Sequence, residues 1–181
     1  MQTLSRSVTR GALGKEPLPP AFASWESRAI RFRRASMSML FGQSGSHKTR
    51  ILLNALLNMR VPTLAFSTDS DQDTVASRLL AINTRTPTDT TEQWLRTEPE
   101  KCAALLKQYD FLRWEFMPSP SLDDVWLSTY AYHEAEGRWP EQIAIDIASD
   151  IGHDTGDEWS SLRDLMRQAK VLARETEAHV L

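Results

Sequence analysis

Short continuous apolar runs alternate along the chain with longer stretches whose apolar residues recur at helical spacing. Ile30-Arg31-Phe32-Arg33 alternates, and Met37-Ser38-Met39-Leu40-Phe41 is mostly apolar, so Ala29 to Phe41 reads as a strand or hairpin running into a buried strand. Between Lys48 and Met59, Arg50, Asn54 and Asn58 lie four apart and form one narrow polar stripe on a largely buried helix. Pro62-Thr63-Leu64-Ala65-Phe66-Ser67 predicts the next buried strand. Val75, Ala76, Leu79 and Leu80 predict a helix entered through Asp69-Ser70-Asp71-Gln72-Asp73, whose Ser and Asp residues are good N-caps. Thr86 to Asp89 reads as a turn, residues 91–108 as one or two helices broken at Pro99, and Phe111 to Met117 as a strand. Leu122, Val125, Trp126 and Tyr130 share a helical face. Gln142 to Ile147 predicts a strand with a carboxylate near its end, followed by a polar loop from His153 to Asp157. Trp159, Leu162, Leu165, Met166, Ala169, Leu172 and Ala173 mark the clearest amphipathic helix, and Ala178 to Leu181 the start of a further strand. Strands alternating with helices imply an α/β fold with a mainly parallel sheet.

Composition adds limits. A chain of 181 residues suits one domain. Hydrophobic residues at 41% and charged residues at 25% describe a globular protein rather than a disordered or repetitive one. Residues 1–24, rich in Ser, Thr, Gly and Pro, read as a flexible N-terminal arm, and residues 25–181 as the domain. The single cysteine, Cys102, has no partner for an internal disulfide. The most apolar run, Ile51 to Met59, falls short of the roughly 20 residues that span a bilayer. A reducing cytoplasmic setting without membrane contact is the expectation. Charge is split: residues 1–60 carry 10 Lys/Arg against 2 acids, and the remainder 11 against 22. A basic N-terminal part suits nucleotide phosphates or nucleic acid, although solvated arginines account equally well for Arg28, Arg31, Arg33 and Arg34.

The predicted strand ending at Phe41 is followed by Gly42-Gln43-Ser44-Gly45-Ser46-His47-Lys48-Thr49 and then by a helix. This is the context that the phosphate-binding pattern GxxxxGK[ST] requires. Glycines let successive backbone N–H groups turn toward phosphate oxygens, and the following helix adds its positive N-terminal end. Lys48 is placed to pair with the β and γ phosphates of a bound nucleotide and the Thr49 hydroxyl to ligate Mg2+. The departure is His47, where the pattern has its last glycine, which puts a Cβ and an imidazole close to the phosphates. A degenerate loop that no longer binds is the alternative.

Two carboxylates complete the candidate constellation. Asp146 ends an Ile-Ala-Ile run, where a carboxylate at a strand edge can hold Mg2+ through water; a turn or capping role is the plainer reading. Asp69 follows the strand after the phosphate-loop helix and is the candidate general base toward an attacking water, with N-capping as its competitor. Asp71 and Asp73 read as cap and surface. His47, His133, His153 and His179 are scattered and give no zinc spacing with Cys102. His153, with the nearby acids Asp150, Asp154 and Asp157, is more simply a solvated loop than a cleft. The six tryptophans are mostly core or helix-face anchors rather than base-stacking residues.

Taken together, these stations resemble the RecA-like P-loop ATPase domain of DnaB-type replicative helicases, particularly short helicase-like proteins of actinobacterial phages. The resemblance runs from about Ser36 to Leu181. It rests on the 42–49 loop, on Phe66-Ser67-Thr68-Asp69 followed by Arg78-Leu79-Leu80, and on Ile145-Asp146. It implies an ATP-binding, Mg2+-dependent motor acting on DNA in phage replication or recombination, in the host cytoplasm and as a homo-oligomer. Asp69 stands where the family has glutamate, one methylene longer. The family's next strand carries a polar γ-phosphate sensor, and beyond it come DNA-contacting loops and an arginine that reaches a neighbouring subunit. The chain ends at Leu181 within that strand, so the resemblance implies an incomplete last strand, and a truncated form or a complementing chain. A non-catalytic nucleotide- or DNA-binding accessory that keeps the ATPase fold is the alternative, with a small-metabolite kinase behind it.

Overall fold

The short apolar runs pair into one five-stranded sheet in the computed structural model, which describes residues 16–43, 45–148 and 158–181. In chain order the elements are α1 (Ala23–Glu26), β1 (Ser36–Met37), α2 (Lys48–Met59), β2 (Thr63–Ser67), α3 (Gln72–Thr84), α4 (Thr88–Thr97), α5 (Pro99–Leu106), β3 (Leu112–Phe116), α6 (Leu122–Glu136), β4 (Gln142–Asp146), α7 (Glu158–Thr176) and β5 (His179–Val180). The strand order is β1-β5-β4-β2-β3 and every pairing is parallel.

Burial on both faces explains the continuous apolar runs, since a parallel sheet is covered by helices on each side. All positions of β2 are buried. Leu64 and Phe66 of β2 join Ile143 of β4 in a layer with Val125 of α6 and Leu165 and Leu172 of α7. Ala65 and Ala144 face the opposite layer, formed by α2 with Val75 and Leu79 of α3. Within that layer Leu52, Leu53, Leu56 and Leu57 of α2 are all buried, each contributing about 1.5–3 kcal/mol. Local signals set the helix ends. Asp71 caps α3 by accepting from Thr74 N at 2.8 Å, Pro99 opens α5, and Ser121 with Asp124 forms a capping box on α6.

Two sequence expectations shift. The strand expected to run to Phe41 is confined to Ser36–Met37, with Ser38 N donating to Val180 O at 2.9 Å as its last tie. Its neighbour β5 is itself two residues long, so beyond Ser38 the backbone has no strand to pair with, and Phe41 is 71% exposed. The second shift concerns the expected arm. Leu18 and Ala21 are buried in the α2 layer, Leu18 N donates to Phe32 O at 2.8 Å, and Asn58 Nδ2 donates to Ala21 O at 2.8 Å. Residues 16–24 thus pack on the domain through isolated apolar anchors and backbone bonds, which leave no periodic signature. Residues 1–15 and the expected loop His153 to Asp157 lie outside the described residues.

Candidate functional site

Parallel pairing brings the C-terminal ends of β1, β2 and β4 to one edge of the sheet, the usual location of ligands in open α/β sheets. The loop after β1 leads into α2, β2 leads to Asp69, and β4 ends at Asp146, whose register partner on β2 is Ser67. Thr68 ties the two strand ends: its N donates to Asp146 O at 2.8 Å and its hydroxyl accepts from Ile147 N at 2.9 Å.

The phosphate loop uses left-handed backbone where its sequence allows it and once where it does not. Gly45 has φ +77. A Cβ on Gly42 would run into Ser46 Oγ, and Ser46 N closes a turn onto Gln43 O at 3.1 Å. His47, at the place of the usual last glycine, adopts φ 59 and ψ 31. A non-glycine residue there costs about 1–2 kcal/mol, so the histidine accepts the conformation that glycine would take freely. Its side chain is exposed. Ser44 lies outside the described residues. Lys48 folds back on the loop, its Nζ donating to Gly42 O at 2.9 Å and Gln43 O at 3.0 Å. These carbonyls hold the ammonium at the loop until an anion competes for it.

Thr49 hydrogen-bonds the Asp146 carboxylate. Burial raises the Asp146 pKa, while the Thr49 hydrogen bond and the charges of Arg78 and Lys48 lower it and Asp69 raises it. Asp69, Asp146, Lys48 and Arg78 therefore share one electrostatic environment. Asp69 is exposed and lines a cleft of about 840 Å3 together with Lys48, Thr49 and Arg78. The structure separates the acids in the way capping chemistry predicts: Asp71 is spent on α3, with its pKa lowered by the Thr74 hydrogen bonds.

The hydroxyl and carboxylate pair of Thr49 and Asp146 fits Mg2+, which prefers one or two protein oxygens plus phosphate oxygens and water. Among the described residues no three His, Cys, Asp or Glu side chains cluster as a metal site on their own. His133 packs on Trp139, and His179 is fully buried. Arg34 pairs with Glu141 and Arg31 with Glu26.

Reading motifs alone misses Arg50, Arg78 and Arg85, all of which line the cleft. Arg78 also donates to Ser70 Oγ at 2.9 Å. The signal was available: Arg78 and Arg85 are seven residues apart, two helical turns, so they share a face of α3 with Ala81 and Ile82.

Parallel five-stranded order, a phosphate loop on the edge strand and acids at the ends of β2 and β4 define a RecA-like P-loop ATPase fold. That fold is shared with a solved helicase ATPase domain of the DnaB-like kind (TM-score 0.73, 13% identity, 98% of this chain and 66% of that one). A DnaB-like replicative helicase, solved in a study of its interactions with primase, matches with TM-score 0.73 at 12% identity over 99% of this chain and 47% of that one. At these identities the likeness is one of fold. In sequence the chain is 29% identical over 172 residues to the Gene 65 protein of Mycobacterium phage L5, covering 92% of this chain and 63% of that protein. It is also 29% identical over 150 residues to the Gene 65 protein of Mycobacterium phage D29, covering 80% and 64%. The chain thus spans less than two thirds of these phage relatives. No family model matches. No helix among the described residues is long and apolar enough to cross a membrane.

Proposed function

We propose that the chain binds Mg-ATP in the cleft at the sheet edge and hydrolyses it as a DnaB-like motor domain acting on DNA in phage replication or recombination. The observation that carries this reading is the convergence of Lys48, the Thr49–Asp146 pair and Asp69, contributed by three separate segments, on one strand edge. Backbone N–H groups of the 42–49 loop and the N-terminus of α2 receive the phosphates. Lys48 exchanges its carbonyl partners for β and γ phosphate oxygens. Thr49 and Asp146 hold the Mg2+, which neutralises phosphate charge when bound. Asp69 orients the attacking water and accepts its proton. Arg78, beside Ser70, adds a positive charge within the chain where negative charge builds on the transferred phosphoryl group.

DNA as partner, assembly with further copies or with a complementing chain, and action in the host cytoplasm belong to the same proposal. They are supported by the replicative-helicase fold and by relatives encoded by phages. The test is equilibrium binding of a fluorescent ATP analogue. Lys48→Ala is expected to abolish Mg2+-dependent binding, and an unchanged affinity would sink the assignment.

The short Asp69 side chain and the strained His47 favour a second reading, a nucleotide- or DNA-binding accessory without turnover. Single-turnover hydrolysis separates the two. DNA-stimulated phosphate release supports the motor, whereas tight binding with no release supports the accessory.

A further inference from the structure

The cleft is larger than its phosphate end. Asp69 precedes α3 and Arg85 follows it, so the cavity runs along that helix, roughly 10 Å from Arg78 to Arg85 at 1.5 Å per residue. Its volume of about 840 Å3 falls in the range of roughly 300–1,000 Å3 that encloses small-molecule ligands. Beyond Arg78 the walls change character. Leu53 of α2 and Ala81 and Ile82 of α3 supply apolar surface, and Arg50 and Arg85 supply guanidinium groups. Neither arginine has an acidic partner among the described residues. Asn54 donates its Nδ2 to Arg50 O at 2.7 Å, which leaves its Oδ1 as an acceptor in the cleft.

Apolar carbon, planar cations and one open acceptor form a surface suited to a flat heteroaromatic ring rather than to further phosphate. Guanidinium groups stack on aromatic faces, and an amide oxygen meets a ring-edge donor. We propose that this second lobe, between α2 and the link from α3 to α4, seats the nucleoside of the bound nucleotide, with the base against Arg50, Ile82 and Arg85. The assignment rests on the Mg-ATP reading of the loop and goes beyond it. It gives the chain a nucleoside subsite built wholly from its own α2 and α3, and it makes affinity depend on the base as well as on the phosphates.

Calorimetric titration of the full chain with Mg-ATP and with Mg-tripolyphosphate tests it. ATP is expected to bind at least about tenfold more tightly than tripolyphosphate, the equivalent of one stacked cation contact. Arg85→Ala, at an exposed position, and Ile82→Asp should remove most of that advantage and leave tripolyphosphate affinity within about twofold of wild type. Equal affinity for the two probes, or variants that leave ATP binding unchanged, overturns the nucleoside lobe alone. Failure of the wild type to bind either probe overturns the phosphate site and the lobe with it.

Discussion

Asp69 holds its carboxylate one methylene closer to the backbone than a glutamate would, at an exposed position beside the phosphate loop. Reach to the attacking water is therefore the variable on which hydrolysis turns. Asp69→Asn is expected to slow single-turnover phosphate release by about 10²–10⁴-fold, and Asp69→Glu to keep or raise it. Release unaffected by Asp69→Asn would remove this acid from the chemistry. His47 poses a separate question, because its backbone sits at φ 59. Glycine removes about 1–2 kcal/mol of left-handed strain and returns roughly 0.5–1 kcal/mol as unfolded-state entropy. His47→Gly should thus raise the melting temperature by about 2–4 °C if the net gain is near 1 kcal/mol. A lower melting temperature would mean that the imidazole makes a compensating contact.

The elements that bring the site together are short, and β5 shows how they hold. His179 is fully buried at its start, its ring stacked on Phe32 at 4.6 Å, with Nδ1 at 3.0 Å from Arg33 O. That geometry makes Nδ1–H the donor and pins the segment before β1 against the sheet. Burial lowers the His179 pKa below its ordinary value. The folded state therefore keeps the ring neutral while the unfolded chain takes up a proton below about pH 6.5. Stability should consequently decline as pH falls through that value toward the lowered folded pKa, a loss measured by denaturant titration at pH 7.5 and 5.5. His179→Phe should flatten this part of the profile, and an unchanged slope would place the dependence on other groups.

For the whole molecule, binding and folding are linked. If Mg-ATP binds only the folded chain, saturation at 100-fold over Kd adds about 2.7 kcal/mol of stability. Thermal unfolding of wild type should shift upward with Mg-ATP, and Lys48→Ala should show no shift. The cleft carries Lys48, Arg50, Arg78 and Arg85 against Asp69, so the shift should shrink as salt rises and screens those charges. A shift retained in Lys48→Ala would point to nucleotide binding elsewhere on the surface.

Much of this protein is legible in local order. The apolar runs specify buried strands, the stripe of Arg50, Asn54 and Asn58 outlines α2, Pro99 divides α4 from α5, and the 42–49 motif places Lys48 and Thr49 at a helix start. These features depend on neighbours a few residues apart, which a linear pattern records. Tertiary structure decided the rest. Whether Asp69 or Asp71 is the capping acid depends on which carboxylate reaches Thr74 N. The length of β1 depends on how far β5 extends beside it. Leu18 and Ala21 join the core through backbone bonds to Phe32 and Asn58, residues far along the chain. The cleft exists because parallel pairing sets α2 beside α3, so that Arg50, Arg78 and Arg85 face one space; no spacing along a single segment encodes a contact between two.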